Sequence, residues 1–177
     1  MRDDTLDALL DAATCRFYGK YQGKVEDNED TTHRGRIQVS VPAVMGDVKI
    51  WAMPCVPYAG KGVGLFLIPD KGSGVWVEFE AGNPNHPIWV GCFWGDRQID
   101  TADAVPGIKF LKTRSVTIRI DDDAGELTIS NSDGSSIRLS SLEIEIKSKT
   151  ITQTTDATKT VLDSIQFDVN SGAFTVV

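Results

Sequence analysis

Residues 72–95 read Gly72-Ser-Gly-Val-Trp-Val-Glu-Phe-Glu-Ala-Gly-Asn-Pro-Asn-His-Pro-Ile-Trp-Val-Gly-Cys-Phe-Trp-Gly95. Val75, Val77 and Phe79 alternate with Trp76, Glu78 and Glu80, the period-2 pattern of a strand with two different faces. Ile88 to Phe93 is again strand-like, and between the two runs Ala81 to Pro87 gathers Gly82, two Asn and two Pro. Those residue types supply positive φ, fix φ near −65° or remove a ladder donor, so the stretch predicts an aromatic-rich hairpin.

Upstream, the hairpin is preceded by further short strands. Phe17 to Glu26, Arg36 to Val41 and Val48 to Ala52 have strand character, separated by the acidic turn Asp27 to His33 and by Pro42. Leu65-Phe66-Leu67-Ile68 reads as a short buried run between Gly- and Pro-rich connections. Five or six strands in about eighty residues predict a small closed antiparallel barrel, because closure removes exposed edges. On pattern alone, OB, SH3-like and small sandwich folds all remain open. Before the barrel, residues 3–14 carry helix formers with Leu6, Leu9 and Leu10 on one side, which predicts a short N-terminal helix over residues 1–15.

After Asp96 the aromatics thin out and Ser and Thr rise, so residues 97–108 read as a linker and 109–177 as a separate β region. Its brief alternating segments place Val116, Ile118, Ile120, Leu127, Ile129, Ile137, Leu139, Ile144 and Ile146 at inward positions. Leu142, Ile165, Phe167, Phe174 and Val176 extend the same rhythm. Each segment buries its two or three aliphatics only if another apolar face covers them, and the tail has no helix to do so. Three copies wound about an axis solve this problem by turning every apolar face to a shared core and pairing each strand edge with a neighbour. An obligate homotrimer is the architecture this packing favours.

Composition narrows the function classes. A formal charge of −7, from 25 acidic and 18 basic residues, argues against a nucleic-acid surface, which draws its affinity from clustered Lys and Arg. Cys15, Cys55 and Cys92 are odd in number and widely spaced, with neither a disulfide framework nor zinc-ligand spacing. No apolar run approaches the ~20 residues of a membrane helix, and the first residues lack a secretory signal pattern. The expectation is a soluble chain made in the cytoplasm.

The order of motifs carries a resemblance. Trp76-Val-Glu-Phe-Glu-Ala-Gly-Asn-Pro84 followed by Pro87-Ile-Trp-Val-Gly91, with Gly35-Arg-Ile-Gln-Val39, Trp51-Ala-Met-Pro54, Tyr58-Ala-Gly60 and Pro69-Asp-Lys-Gly-Ser-Gly74 upstream, closely resembles the barrel of contractile-tail spike proteins. That family includes phage baseplate assembly protein V, central tail spikes, and the spikes of type VI secretion and extracellular injection systems. The resemblance covers about residues 16–95, with Trp76, Phe79, Gly82, Pro84, Pro87, Trp89 and Gly91 as its barrel signature. It implies an all-β chain: an OB-fold barrel over 16–96, then a trimeric triple-stranded β-helix needle.

By that resemblance the protein is a structural, non-enzymatic spike at the baseplate of a virion tail or extracellular contractile particle, driven through the target envelope by sheath contraction. It implies a separate hub protein above and, at Phe174, Val176 and Val177, a docking platform for a PAAR-type tip protein. Relatives carry an inserted lysozyme domain, a fused hub, or closely spaced C-terminal histidines that hold iron. The sequence has none of these, its histidines being His33 and His86, so no cofactor or metal is expected.

Other chemistries receive weaker support. Glu78 and Glu80, two apart in a strand, resemble a glycosidase pair but lack an identifiable partner acid. Asp121, Asp122, Asp123 and Glu126 lack calcium-loop spacing. Trp51, Trp76, Trp89 and Trp94 lack the basic track that accompanies base stacking, and read as core and subunit-contact residues. The competing functional class is an OB-type binding or adaptor module with an oligomerising β tail.

Overall fold

A computed structural model describes residues 16–176. The helix expected within residues 1–15, and Val177, lie outside the described residues. The chain divides into two compact units between Gln98 and Ile99.

The first unit contains β1 (Tyr21–Asp27), β2 (Ile37–Ser40), the single-turn helix α1 (Pro42–Met45), β3 (Lys49–Pro54), the two-residue strands β4 (Ala59–Gly60) and β5 (Val63–Gly64), β6 (Gly74–Phe79) and β7 (Pro87–Phe93). Five of the strands close a barrel in the order β1-β2-β3-β7-β6, with β6 returning to β1. β3 and β7 run parallel, and the other barrel pairs are antiparallel. Closure in this five-stranded order selects the OB barrel from the three folds that the pattern left open.

The alternation in β6 sets the core. Val75, Val77 and Phe79 are buried, whereas Trp76 and Glu78 on the other face are half-exposed. With Val25, Ile37, Val39, Val41, Ala52 and Trp89 they form one apolar cluster. At ~1.5–3 kcal/mol for each fully buried aliphatic, these side chains dominate the unit's stability. Gly74 makes room on the opposite face: a Cβ there would lie 2.6 Å from the Phe93 ring, which packs against Trp76 at 5.1 Å between centroids.

Leu65 to Ile68 departs from its reading as a short buried run. The run has no strand structure, Phe66 is 74% exposed, and only Ile68 packs on the core. These residues belong to a loop arm built on the β4–β5 hairpin, and among the described residues no element covers it. Hydrophobicity and length alone did not separate a buried strand from an exposed apolar loop.

Among the described residues the second unit holds nine strands: β8 (Ile108–Lys112), β9 (Val116–Asp121), β10 (Glu126–Asn131), β11 (Ser136–Leu139), β12 (Ile144–Lys147), β13 (Thr150–Thr154), β14 (Lys159–Asp163), β15 (Phe167–Val169) and β16 (Phe174–Val176). They form two antiparallel meanders, β8 to β12 and β13 to β16. Strand edges expected to be paired by neighbouring copies are, for β9, β10, β11, β14 and β15, paired on both sides by strands of the same chain. Short turns make this possible. Asn131 Oδ1, for example, accepts the N–H groups of Asp133 and Ser135, reversing the chain in the manner of an Asx turn.

Residues 99–107, read from composition as part of a linker, run as consecutive turns onto the first meander. Asp103 there lies 3.6 Å from Arg119 and 3.5 Å from Lys112.

Candidate functional site

The candidate site is a pair of sheet faces. Across the five-stranded meander the register aligns Leu111, Ile118, Ile129, Ile137 and Ile146 in one row. A second row aligns Ile120, Leu127, Leu139 and Ile144, ending at Lys109. All nine residues expected at inward positions therefore share one face, because Val116 lies on the same side of β9 as Ile118 and Ile120. In the single chain that face is open: Ile118, Ile129 and Ile137 are 37–41% exposed, and Ile144 is 70% exposed.

The alternation of burial is the reverse of that in a sheet lying on its own core. In β9 the polar Thr117, Arg119 and Asp121 are half-buried while Val116, Ile118 and Ile120 are exposed. The polar face is closed by ion pairs within the chain. Arg138 bonds Glu126, Glu143 and Glu145 at once, and these carboxylates hold its guanidinium above its ordinary pKa. Arg119 bonds Asp121 at 3.2 Å. Asp121 is held below the usual carboxylate range, first by the backbone N–H of Ala124 and then by Arg119.

Among the described residues, the four-stranded meander also gathers apolar residues on one face, without the ion pairs of the first. Ile151, Leu162, Phe167 and Val176 form one row, and Gln153, Thr160, Val169 and Phe174 form the other, whose first two members are polar. Phe174 and Val176, expected to dock a tip protein, thus sit in the last described strand on the same face as the rest. Ile151 lines one cleft together with Ile129, Ile137 and Ile146, so the apolar surface continues from the first meander to the second. Sequence reasoning omitted Leu111, Ile151 and Leu162 from this surface. The signal for Leu111 was the run Ile108-Lys-Phe-Leu-Lys112, masked by the linker composition before it, and for the others the Thr alternation around them.

The barrel's motif residues have local structural reasons. Gly35 adopts φ +73°, with the side chains of Phe66, Ile68 and Pro54 3.5–3.6 Å from where a Cβ would stand. Its carbonyl accepts the Trp89 indole N–H at 3.2 Å. Arg36 stacks 5.3 Å from the Trp51 ring centroid and bonds Asp30, whose side chain is only 5% exposed. The Arg36 guanidinium, aided by Thr32 and the backbone N–H of Arg34, holds the Asp30 carboxyl far below the usual range.

Gly82 is buried at φ +77° beneath Tyr18 and Arg16, Pro87 is buried, and Pro84 and Gly91 are half-buried. Of the four tryptophans, Trp89 is core, Trp51 and Trp76 are half-buried and Trp94 is 66% exposed.

The acidic pairs are not brought together as the strand reading required. β6 ends at Phe79, so Glu80 opens a 3-10 turn, while Glu78 pairs with Lys20. Asp122 pairs with Lys109 and Glu126 with Arg138. His33 and His86 are both exposed, on the loops that follow β1 and β6.

Residues 21–94 match the family model of the type VI secretion system/phage-baseplate injector OB domain, a span that runs from the first residue of β1 to just beyond β7. The barrel is similar to that injector OB domain. Its family carries a baseplate-associated structural role in company with other baseplate components, which fits a virion tail or an extracellular particle. No individual curated protein matches the chain. Among the described residues, no helix is long and apolar enough to cross a membrane.

Proposed function

We propose that this chain is the central spike of a contractile tail or injection machine, a homotrimer whose injector barrels form a collar and whose β tails form a membrane-piercing needle. One observation carries the reading: the first meander of the tail presents two register-matched apolar rows that its own chain leaves open, while its polar face carries its own ion pairs. A separate hub protein joins the barrel end. A PAAR-type tip protein joins the far end at Phe174, Val176 and Val177, and the needle meets the target envelope on contraction.

The role is mechanical. The spike makes and breaks no bond and needs no cofactor; it transmits axial force through a stiff, dry core. Phe174 and Val176 lie in the rows that the trimer would bury, so a Val176→Asp variant reads tip docking and association together.

The test is the molar mass of the intact chain in solution at micromolar concentration. A mass of about three times 19.3 kDa is expected. A monomer would overturn the needle and favour an OB-type binding or adaptor module instead.

A further inference from the structure

We infer that the tail assembles as three separate walls, each folded from one chain, in which the inner strands β9 to β11, β14 and β15 pair only within their own chain and the copies meet through their apolar faces. This rests on the trimeric reading above but differs from a triple-wound needle, in which strands of different chains pair edge to edge.

Backbone pairing is the first ground. β9, β10 and β11 in one meander and β14 and β15 in the other are hydrogen-bonded on both sides by their neighbours in sequence. Edge pairing between copies would have to break these ladders. The connections reinforce them: Thr113, Ser140, Thr155 and Asp163 each donate their backbone N–H three residues ahead, to Val116, Glu143, Thr158 and Gln166. Each of these bonds reverses the chain within one sheet and leaves no span to cross to another wall.

Charge is the second ground. Arg138 finds Glu126, Glu143 and Glu145 in its own chain, and Arg119 finds Asp103 and Asp121. The outward face of the first meander is therefore served by its own charges, and the apolar rows are the largest surface the tail leaves open, beside the single free edges of β8, β12, β13 and β16.

Dimensions supply the third ground. Strands of four to six residues in the first meander, at ~3.3 Å per residue, make walls about 13–20 Å wide. Three such walls around an axis stand about 4–6 Å from it, matching half of the ~10 Å at which packed sheets interdigitate. Four walls would stand roughly 7–10 Å away and leave a void along the axis. The exposed fractions of the large hydrophobic residues in the rows add up to about six whole side chains per copy. That corresponds to roughly 400–700 Å² of apolar surface, approaching the ~800 Å² per partner of a standard stable interface. The occupant that fits is two further copies of this chain.

Register-paired cysteines on the outward face test the inference. Thr117 and Ser130 are cross-strand partners on the polar side of β9 and β10. The full-length chain carrying Thr117→Cys and Ser130→Cys, with Cys15, Cys55 and Cys92 changed to Ser, is weighed in solution, oxidised, and then denatured without reductant. The expected result is a trimer by mass that separates into single chains, each with its disulfide closed and no free thiol. A trimer that yields covalent dimers or trimers, or whose two thiols stay free, overturns the self-paired wall and leaves the trimeric reading standing. A monomeric mass overturns the trimeric reading itself, even with the disulfide closed within the chain. A dimeric mass overturns the three-wall count.

Discussion

Replacing Ile137 by Asp sets the two faces of the first meander against each other. Ile137 is 41% exposed in the single chain, so covering the remainder gains roughly 0.6–1.2 kcal/mol per copy at ~1.5–3 kcal/mol for a whole side chain. Three copies in one layer make that about 2–4 kcal/mol of assembly energy. An aspartate there forfeits this gain and must also lose water in an apolar core, at a cost of several kcal/mol per ion. The combined change is on the order of 10 kcal/mol against the trimer, about seven decades in its association constant. Folding of the single chain loses only the part already covered, about 1–2 kcal/mol.

Ser136→Asp, one residue away, places the same charge on the opposite face, level with Lys147. Sedimentation or light scattering of both variants is expected to give a monomer for Ile137→Asp and an unchanged trimer for Ser136→Asp. A trimer in the first case, or a monomer in both, would falsify the face assignment.

Three further outcomes concern the barrel. Asp30 is depressed by Arg36, so its contribution is present above the unfolded carboxylate value near ~3.9 and is lost as pH falls through the lower folded value. Asp30→Asn should therefore show a deficit in denaturation midpoint at pH 7 that shrinks below about pH 4; an equal deficit at pH 7 and pH 3 would show that the charge is not responsible. Gly74→Ala drives a methyl into the Phe93 ring and is expected to cost about 1–3 kcal/mol in urea unfolding, much of it recovered when Phe93 is also changed to Ala. Failure of that recovery would move the strain elsewhere. Trp89→Phe leaves the Gly35 carbonyl without its indole donor, with an expected loss of about 1–3 kcal/mol; a neutral result would mean that water replaces the bond.

The hairpin around β6 and β7 was legible because a strand with one wet and one dry face writes its period into the chain. Val75, Val77 and Phe79 are buried as their spacing required. The apolar positions of the tail were legible for the same reason, and register then gathered them on one face. Leu65 to Ile68 misled because a hydrophobic run is equally suited to a core strand or to an exposed arm, and local pattern carries no information on what covers it. β13 and β14 escaped because Thr satisfies strand geometry without contributing hydrophobic contrast. Glu80 left the strand because Ala81 and Gly82 take positive φ and turn the chain immediately after Phe79.

The meander of the tail has a consequence for how such a part changes length over evolution. Adding one strand would reverse the chain's direction and deliver every later strand to the wrong side of the wall. Adding a hairpin restores the direction, and extends the wall by two strand spacings, about 9–10 Å. Length is thereby quantised in hairpins, and relatives built on the same plan should differ by whole pairs of strands, with the barrel left untouched.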